Sequence, residues 1–441
     1  HHTRHHPRAS FYPIAANTRV MGMTIAEKIL AAHAGKKSVS PKEIVDAKVD
    51  YVMVNDVTGL PAFEVFEEFD TKPILEKSVL IQDHYVPNKD VASAEQAKSM
   101  REFAKRYGIE NHFDVGRGGV CHQIMIEEGF AAPGRLIVGA DSHTCSYGAL
   151  GALSTGIGSS EAASAMATGE LWFRVPETQK FVVDGELGKH VMGKDIILHI
   201  IGDIGVSGSL YRSMEFYGSA IESLHLSDRI TISNMAIEAG AKCGIIPPDD
   251  AVFDYLKNRV IGEYSPVYAD ADAEYEDTFE YAASEIVPVV ATPHLPENVT
   301  PASEIDVQID QAYLGSCTNG RIEDLRAAAA VLKGAGKSVH PDVRMIVVPA
   351  SKSVFEQAMR EGLIGIFMDA DAYVSGPTCG ACLGGYMGVL AEGERCVSST
   401  NRNFIGRMGH PNSEVYLANP AVVAASAITG RITDPEDLLE G

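Results

Sequence analysis

No run of eighteen apolar residues occurs in this sequence, so no helix is expected to span a bilayer. Basic residues are scarce: 37 Lys and Arg face 59 Asp and Glu, a formal net charge of −22. Nucleic-acid phosphates need a basic footprint, so this balance argues against such a partner. It also means that an anionic ligand must be met by arginines gathered in one place. The first residues, HHTRHHPRASFYPIAANTRV, lack both an apolar segment followed by a cleavage signal and an initiator Met, whereas Met21 and Met23 stand just before the first convincing helix. Residues 1–20 are read as a leader or tag, and His1, His2, His5 and His6 as a loose tail. The seven cysteines are odd in number and include one C-x-x-C pair. Neither a disulfide framework nor a four-cysteine zinc site is expected; reduced thiols in the cytoplasm are.

What is present is a repeated unit. Apolar strands are predicted at 51–54, 78–81, 135–139, 311–314 and 372–374, and each runs into polar residues before a Gly- or Ser-opened helix. Strands alternating with helices imply parallel α/β sheets, whose ligands bind beyond the carboxyl ends of strands. Thr24 and Glu27 form a capping box that opens an amphipathic helix. Composition shifts divide the chain into three α/β domains, 21–178, 179–290 and 291–441. The acidic, Pro-punctuated stretch 262–306 reads as a long surface connection holding a short helix.

The chemistry collects at the predicted strand ends. Cys379 and Cys382 form the C-x-x-C pair, and Cys317 lies in a second Gly-rich turn. From spacing alone an iron–sulfur cluster, zinc or no metal all remain open. Cys121, Cys145 and Cys243 read as small buried thiols, with Cys396 a fourth-ligand candidate by proximity. Asp83–His84 and Asp141 with His143 set carboxylates beside imidazoles, which suits acid–base work, although a surface turn has the same composition. His122 lies in a predicted helix, where a core or surface histidine is the default, and Glu215 can equally be an exposed helical residue. Arg402 and Arg407, in NRNFIGR, are candidate carboxylate clamps. Gly156, Gly158 and Glu161 imitate a dinucleotide fingerprint but read as a packed helix start. Gly336, Lys337 and Ser338 imitate a P-loop whose upstream glycine is here Val331.

Taken in order, QDH at 82–84, GADSHT at 139–144, SNMAIEAGA at 233–241, GSCTNGR at 315–321, the C-x-x-C pair and NRNFIGR at 401–407 resemble the aconitase family of iron–sulfur hydro-lyases, from Met21 to Gly441. The resemblance implies three α/β domains around a [4Fe–4S] cluster held by Cys317, Cys379 and Cys382. It implies His84, oriented by Asp83, as the acid for the leaving hydroxyl, with Asp141, His143, His122 and Glu215 around it. Arg402 and Arg407 would bind substrate carboxylates, with Asn55 and Asp56 as weaker matches. Monomeric members carry a fourth, swivelling domain. Here the resemblance implies a separate small subunit and a hydroxy di- or tricarboxylate substrate, isopropylmalate first, homocitrate, homoaconitate, dimethylmalate or citramalate next. An RNA-binding regulator and a zinc or electron-transfer protein are the readings from other classes.

Overall fold

Where the sequence runs apolar for four or five residues, a strand forms with both faces covered. In the computed structural model, which describes residues 22–440, Ser78–Ile81 and Leu136–Gly139 are buried at every position. That is the burial a parallel sheet with helices on both sides requires. These two strands flank Tyr51–Asn55, and His112–Phe113 and Leu153–Gly156 complete a parallel sheet of five. The leader or tag expected at 1–20, with its four histidines, lies outside the described residues.

A second sheet places Cys243–Ile245, Ser213–Tyr217, Thr178–Asp184 and Asp277–Ala282 side by side, all parallel. The third has seven strands. Glu414–Ala418, Arg395–Ser398, Gln311–Gly315, Arg344–Val348 and Tyr373–Val374 run parallel, while Val289–Ala291 is antiparallel to both neighbours and Val299–Pro301 forms the edge. A small antiparallel ribbon joins Ile44–Lys48 to Glu170–Arg174.

Several local expectations match the structure. The Thr24–Glu27 capping box opens the helix Ile25–His33. Gly158 precedes the packed helix Ser159–Thr168, whose inner face is Ala162, Ala163, Ala165 and Met166, as read for the false dinucleotide motif. The stretch 262–306 is a correction. It supplies three strands, and its only helical pieces are the single 3-10 turns Ala283–Glu285 and Ala302–Glu304. Acidic residues hid the strand Asp277–Ala282 because it lies at a sheet edge, where alternate residues face water; inward, Phe279 stacks on Phe181 with ring centroids 4.9 Å apart. Among the described residues no helix is long and apolar enough to cross a membrane.

Candidate active site

Backbone geometry comes first. Asp56, buried just past the end of Tyr51–Asn55, accepts the N–H groups of Asp83 (3.0 Å), His84 (2.9 Å) and Tyr85 (2.8 Å). One carboxylate therefore fixes the turn that follows the neighbouring strand. Burial, reinforced by Asp83, holds the Asp56 carboxyl above its usual range. Within that turn Asp83 accepts from His84 Nδ1 (2.6 Å) on one oxygen and from the Cys121 N–H (2.8 Å) on the other. The Asp83 carbonyl accepts from the Cys379 N–H at 2.7 Å, so the first sheet grips the C-x-x-C loop of the third directly.

Asp141 is the hub of the imidazoles. His122 Nε2 lies 2.8 Å from its Oδ1, His84 Nε2 3.4 Å from its Oδ2, and the His143 N–H donates to Oδ1 at 2.8 Å. Asn55 Nδ2 donates to Oδ2 at 3.3 Å, while the side-chain oxygen Oδ1 of Asn55 accepts from Val57 and Thr58. Burial raises the Asp141 carboxyl, but His122 first and then the other imidazoles pull it well below the usual range. Burial alone would depress His84; Asp83, aided by Asp141, lifts it well above an ordinary imidazole. The site thus favours the charged imidazole at His84 and the ionised carboxylate at Asp141.

Cys317, Cys379 and Cys382 are free and buried. Cys317 is placed by an unusual turn: Gly315 has φ 153° and Ser316 has φ 112°, and a Cβ at Gly315 would lie 2.7 Å from the Val348 carbonyl oxygen. Glycine is required there. Asn401 joins the thiols, its Nδ2 lying 3.5 Å from Cys317 Sγ and its Oδ1 3.8 Å from Cys382 Sγ. Asn234 Nδ2 adds a donor to Cys317 at 3.3 Å. The Cys379 thiol donates to Cys382 and, with Arg407, holds the Cys382 thiol below its ordinary value despite burial. Two buried polar atoms beside this group, Tyr313 Oη and Arg407 Nε, have no hydrogen-bond partner among the described residues. Three soft ligands, flanking donors and orphaned polar atoms fit a thiolate-bound metal group. Cys396 stands apart, inside Arg395–Ser398, with its thiol donating to the Val397 carbonyl. Asp83, His84 and Cys121 also offer ligand atoms within 4.8 Å of one another, but the carboxylate oxygens are engaged as described.

Glu215 is the residue that geometry does not bring to this place. It sits on Ser213–Tyr217 and accepts from the Ile25 N–H (2.8 Å), Tyr217 Oη (2.7 Å) and Tyr275 Oη (3.1 Å), anchoring the first helix. It is a buried strand residue and not an exposed helical one. Glu238 stands where a carboxylate was sought: Oε1 is 2.8 Å from His143 Nε2, and the Arg402 Nε bonds both oxygens at 2.9 and 3.0 Å. Against burial, Arg402 and His143 hold the Glu238 carboxyl below the usual range. Its signal was the lone acid in SNMAIEAGA, inside an otherwise small and apolar segment that forms the turn Met235–Ala239.

Known proteins resemble this chain along nearly all of its length. The model of the aconitase family (aconitate hydratase) matches residues 27–306 and 302–430. The 3-isopropylmalate dehydratase large subunit of Thermodesulfovibrio yellowstonii is 58% identical over 421 residues, covering 95% of this chain and 100% of that protein. Its counterparts from Halothermothrix orenii and Aquifex aeolicus are each 57% identical over 95% of this chain, covering 100% and 98% of their own lengths. Among solved structures, the holo-form of Thermococcus kodakaraensis aconitase X superposes with a TM-score of 0.51 at 12% identity, covering 94% of each chain, a likeness of fold. With its sheets, its converging strand ends and a family match along nearly all of its length, the chain belongs to the aconitase family.

Proposed function

We propose that this chain is the large subunit of a two-chain hydro-lyase of the 3-isopropylmalate dehydratase type. It would interconvert 2- and 3-isopropylmalate by loss and return of water in leucine synthesis. The observation that carries the reading is the convergence of His84, Asp141, Glu238–Arg402 and the three thiols at the ends of strands from separate sheets. The shared name of relatives at 57–58% identity supports the substrate class. Cys317, Cys379 and Cys382 would hold a [4Fe–4S] cluster, which supplies a Lewis-acidic iron when bound.

The remaining steps are the work of this chain's side chains. Arg402 and Arg407 face a dianion with fixed guanidiniums, which bind carboxylates through paired N–H groups. His84 carries its proton on the ring side away from Asp83, at Nε2, and gives it to the departing hydroxyl. Asp83 keeps the imidazole in that orientation, and Asp56 holds the backbone of both. His122 and His143, both bonded to Asp141, complete a hydrogen-bonding wall for the released water. Glu238 holds Arg402 by its Nε, leaving the two terminal nitrogens for a carboxylate. The base that removes the carbon-bound proton would come from a small subunit, which the large-subunit naming of the relatives supports. Seven unpaired cysteines support a reducing cytoplasmic setting.

The test is co-expression with the candidate small subunit, anaerobic purification, and absorbance of the new alkene with isopropylmalate, homocitrate and dimethylmalate at equal concentration. Preference for isopropylmalate is expected. Preference for either other acid would keep the chemistry and reassign the substrate. No alkene from any of them, with iron, sulfide and partner present, would end the proposal.

A further inference from the structure

The helix Gly193–Ile204 opens with two adjacent charges, Lys194 and Asp195, both fully buried. A buried charge is costly unless paired or fully hydrogen-bonded. Each side chain finds its partners in the part of the chain that forms the seven-stranded sheet. Asp195 accepts from the Val289 N–H (2.9 Å), Asn419 Nδ2 (2.7 Å) and, at its own helix start, the Met192 N–H (2.8 Å). Lys194 Nζ donates to the carbonyls of Ser399 (2.8 Å) and Thr400 (2.5 Å) and to Asn319 Oδ1 (3.3 Å).

Those three acceptors matter by their positions. Ser399 and Thr400 immediately precede Asn401, which touches two of the thiols, and Arg402, which pairs with Glu238. Asn319 is two residues past Cys317 and is itself tied to Asp324 (2.9 Å) and Thr231 (3.2 Å). An ammonium has three hydrogens for three acceptors, whereas a neutral amine has two and would turn its lone pair on one of them. Burial pushes the amine down to about 7, against the upward pull of Asp324, Cys382, Asp195 and Cys317. The thiolates that a metal group requires would strengthen that pull.

We infer that Lys194 is a positioning residue for the active site. Its ammonium fixes the turn carrying Asn401 and Arg402 against the loop carrying Cys317, and it supplies a buried positive charge that balances the thiolate group. The inference rests on the reading that these three thiols hold the cluster. Asp195, one residue away and equally buried, serves as the contrast: its bonds join the same parts of the chain without touching either active-site loop.

The experiment uses the full chain reconstituted without oxygen, as wild type, K194M, K194Q, K194R and D195N. Iron and sulfide content, thermal unfolding and the EPR-monitored reduction potential are measured on each. A positive charge in a low-dielectric interior stabilises the reduced cluster. K194M and K194Q should therefore have a more negative potential than wild type, with K194R close to wild type and D195N not shifted in the negative direction even where it unfolds at a lower temperature. With the small subunit added, K194M should raise KM by about tenfold or more through misplaced Arg402. If K194M does not fold, K194Q against K194R carries the comparison, because both keep donors and only one keeps the charge. Wild-type potential and KM in a folded K194M would overturn the inference, as would a D195N shift equal to that of K194M. A wild-type chain that takes up no iron or sulfide would instead remove the cluster reading beneath it.

Discussion

His84 is pinned at Nδ1 by Asp83, whose other oxygen is occupied by the Cys121 N–H, so the imidazole has one orientation. Replacing Asp83 with Asn removes the largest influence holding the His84 proton, and the folded-state value falls. A raised imidazole value contributes stability that is complete below about pH 6.5 and fades as pH climbs through the folded value. D83N should therefore move the alkaline limb of the pH–rate profile down by about one unit or more. It should also lower kcat by roughly 10²–10⁴-fold. An unshifted limb would remove Asp83 from that role. Arg402 shares its guanidinium between Glu238 and the expected carboxylate, and a lysine must choose one of them. A charge-assisted hydrogen bond contributes about 1.5–3 kcal/mol, so R402K should lower kcat/KM about ten- to hundredfold. Steady-state kinetics on the two-chain enzyme decides it. C382A should keep the fold but lose iron and sulfide, which elemental analysis and a melting curve check together. A C382A protein that holds a full complement of both would exclude Cys382 as a ligand.

Each site loop is held by its neighbours, and Asp56 is the clearest case because three consecutive N–H groups depend on it. D56A leaves those donors without an acceptor in a buried turn, and the expected loss is about 2–4 kcal/mol, with D56N milder because its amide keeps one acceptor oxygen. Urea unfolding would show it; equal stability of D56A and wild type would mean that water replaces the carboxylate. How far such elements were legible follows from the same physics. The strands Ser78–Ile81 and Gln311–Gly315 were readable because uninterrupted apolar residues end abruptly in polar ones. Cys317, Cys379, Cys382 and the two Asp–His pairs stood out because their residue types are uncommon in turns without a task. Glu238 did not, since one acid in a small-residue segment has no periodicity to mark it. Glu215 misled for the opposite reason: its strand side chain turns to cap a helix distant in sequence, a partnership that no local pattern records. Lys194 was invisible, because one lysine at a helix start ordinarily faces water.

The whole molecule carries a charge of −22, yet the proposed substrate is an anion. Local guanidiniums would bind it, while the wider field repels its approach. Raising ionic strength from low salt to about 0.15 M, where the Debye length is about 8 Å, should therefore lower KM before it weakens the clamps. A KM that rises from the first addition of salt would show that the local arginines dominate at long range too. The hydrogen bond from the Cys379 N–H to the Asp83 carbonyl, and the Asn401 bridge between Cys317 and Cys382, have a consequence in time. On the ribosome Asp83 is made first, its partner at position 379 follows nearly 300 residues later, and Arg407 comes later still. At about 5–20 residues per second the pocket stays unassembled for tens of seconds after Asp83 is made. A delivery system for iron and sulfur would then meet a polypeptide already made past Arg407, and any product terminated before that point would leave its cysteines without the walls that shield them.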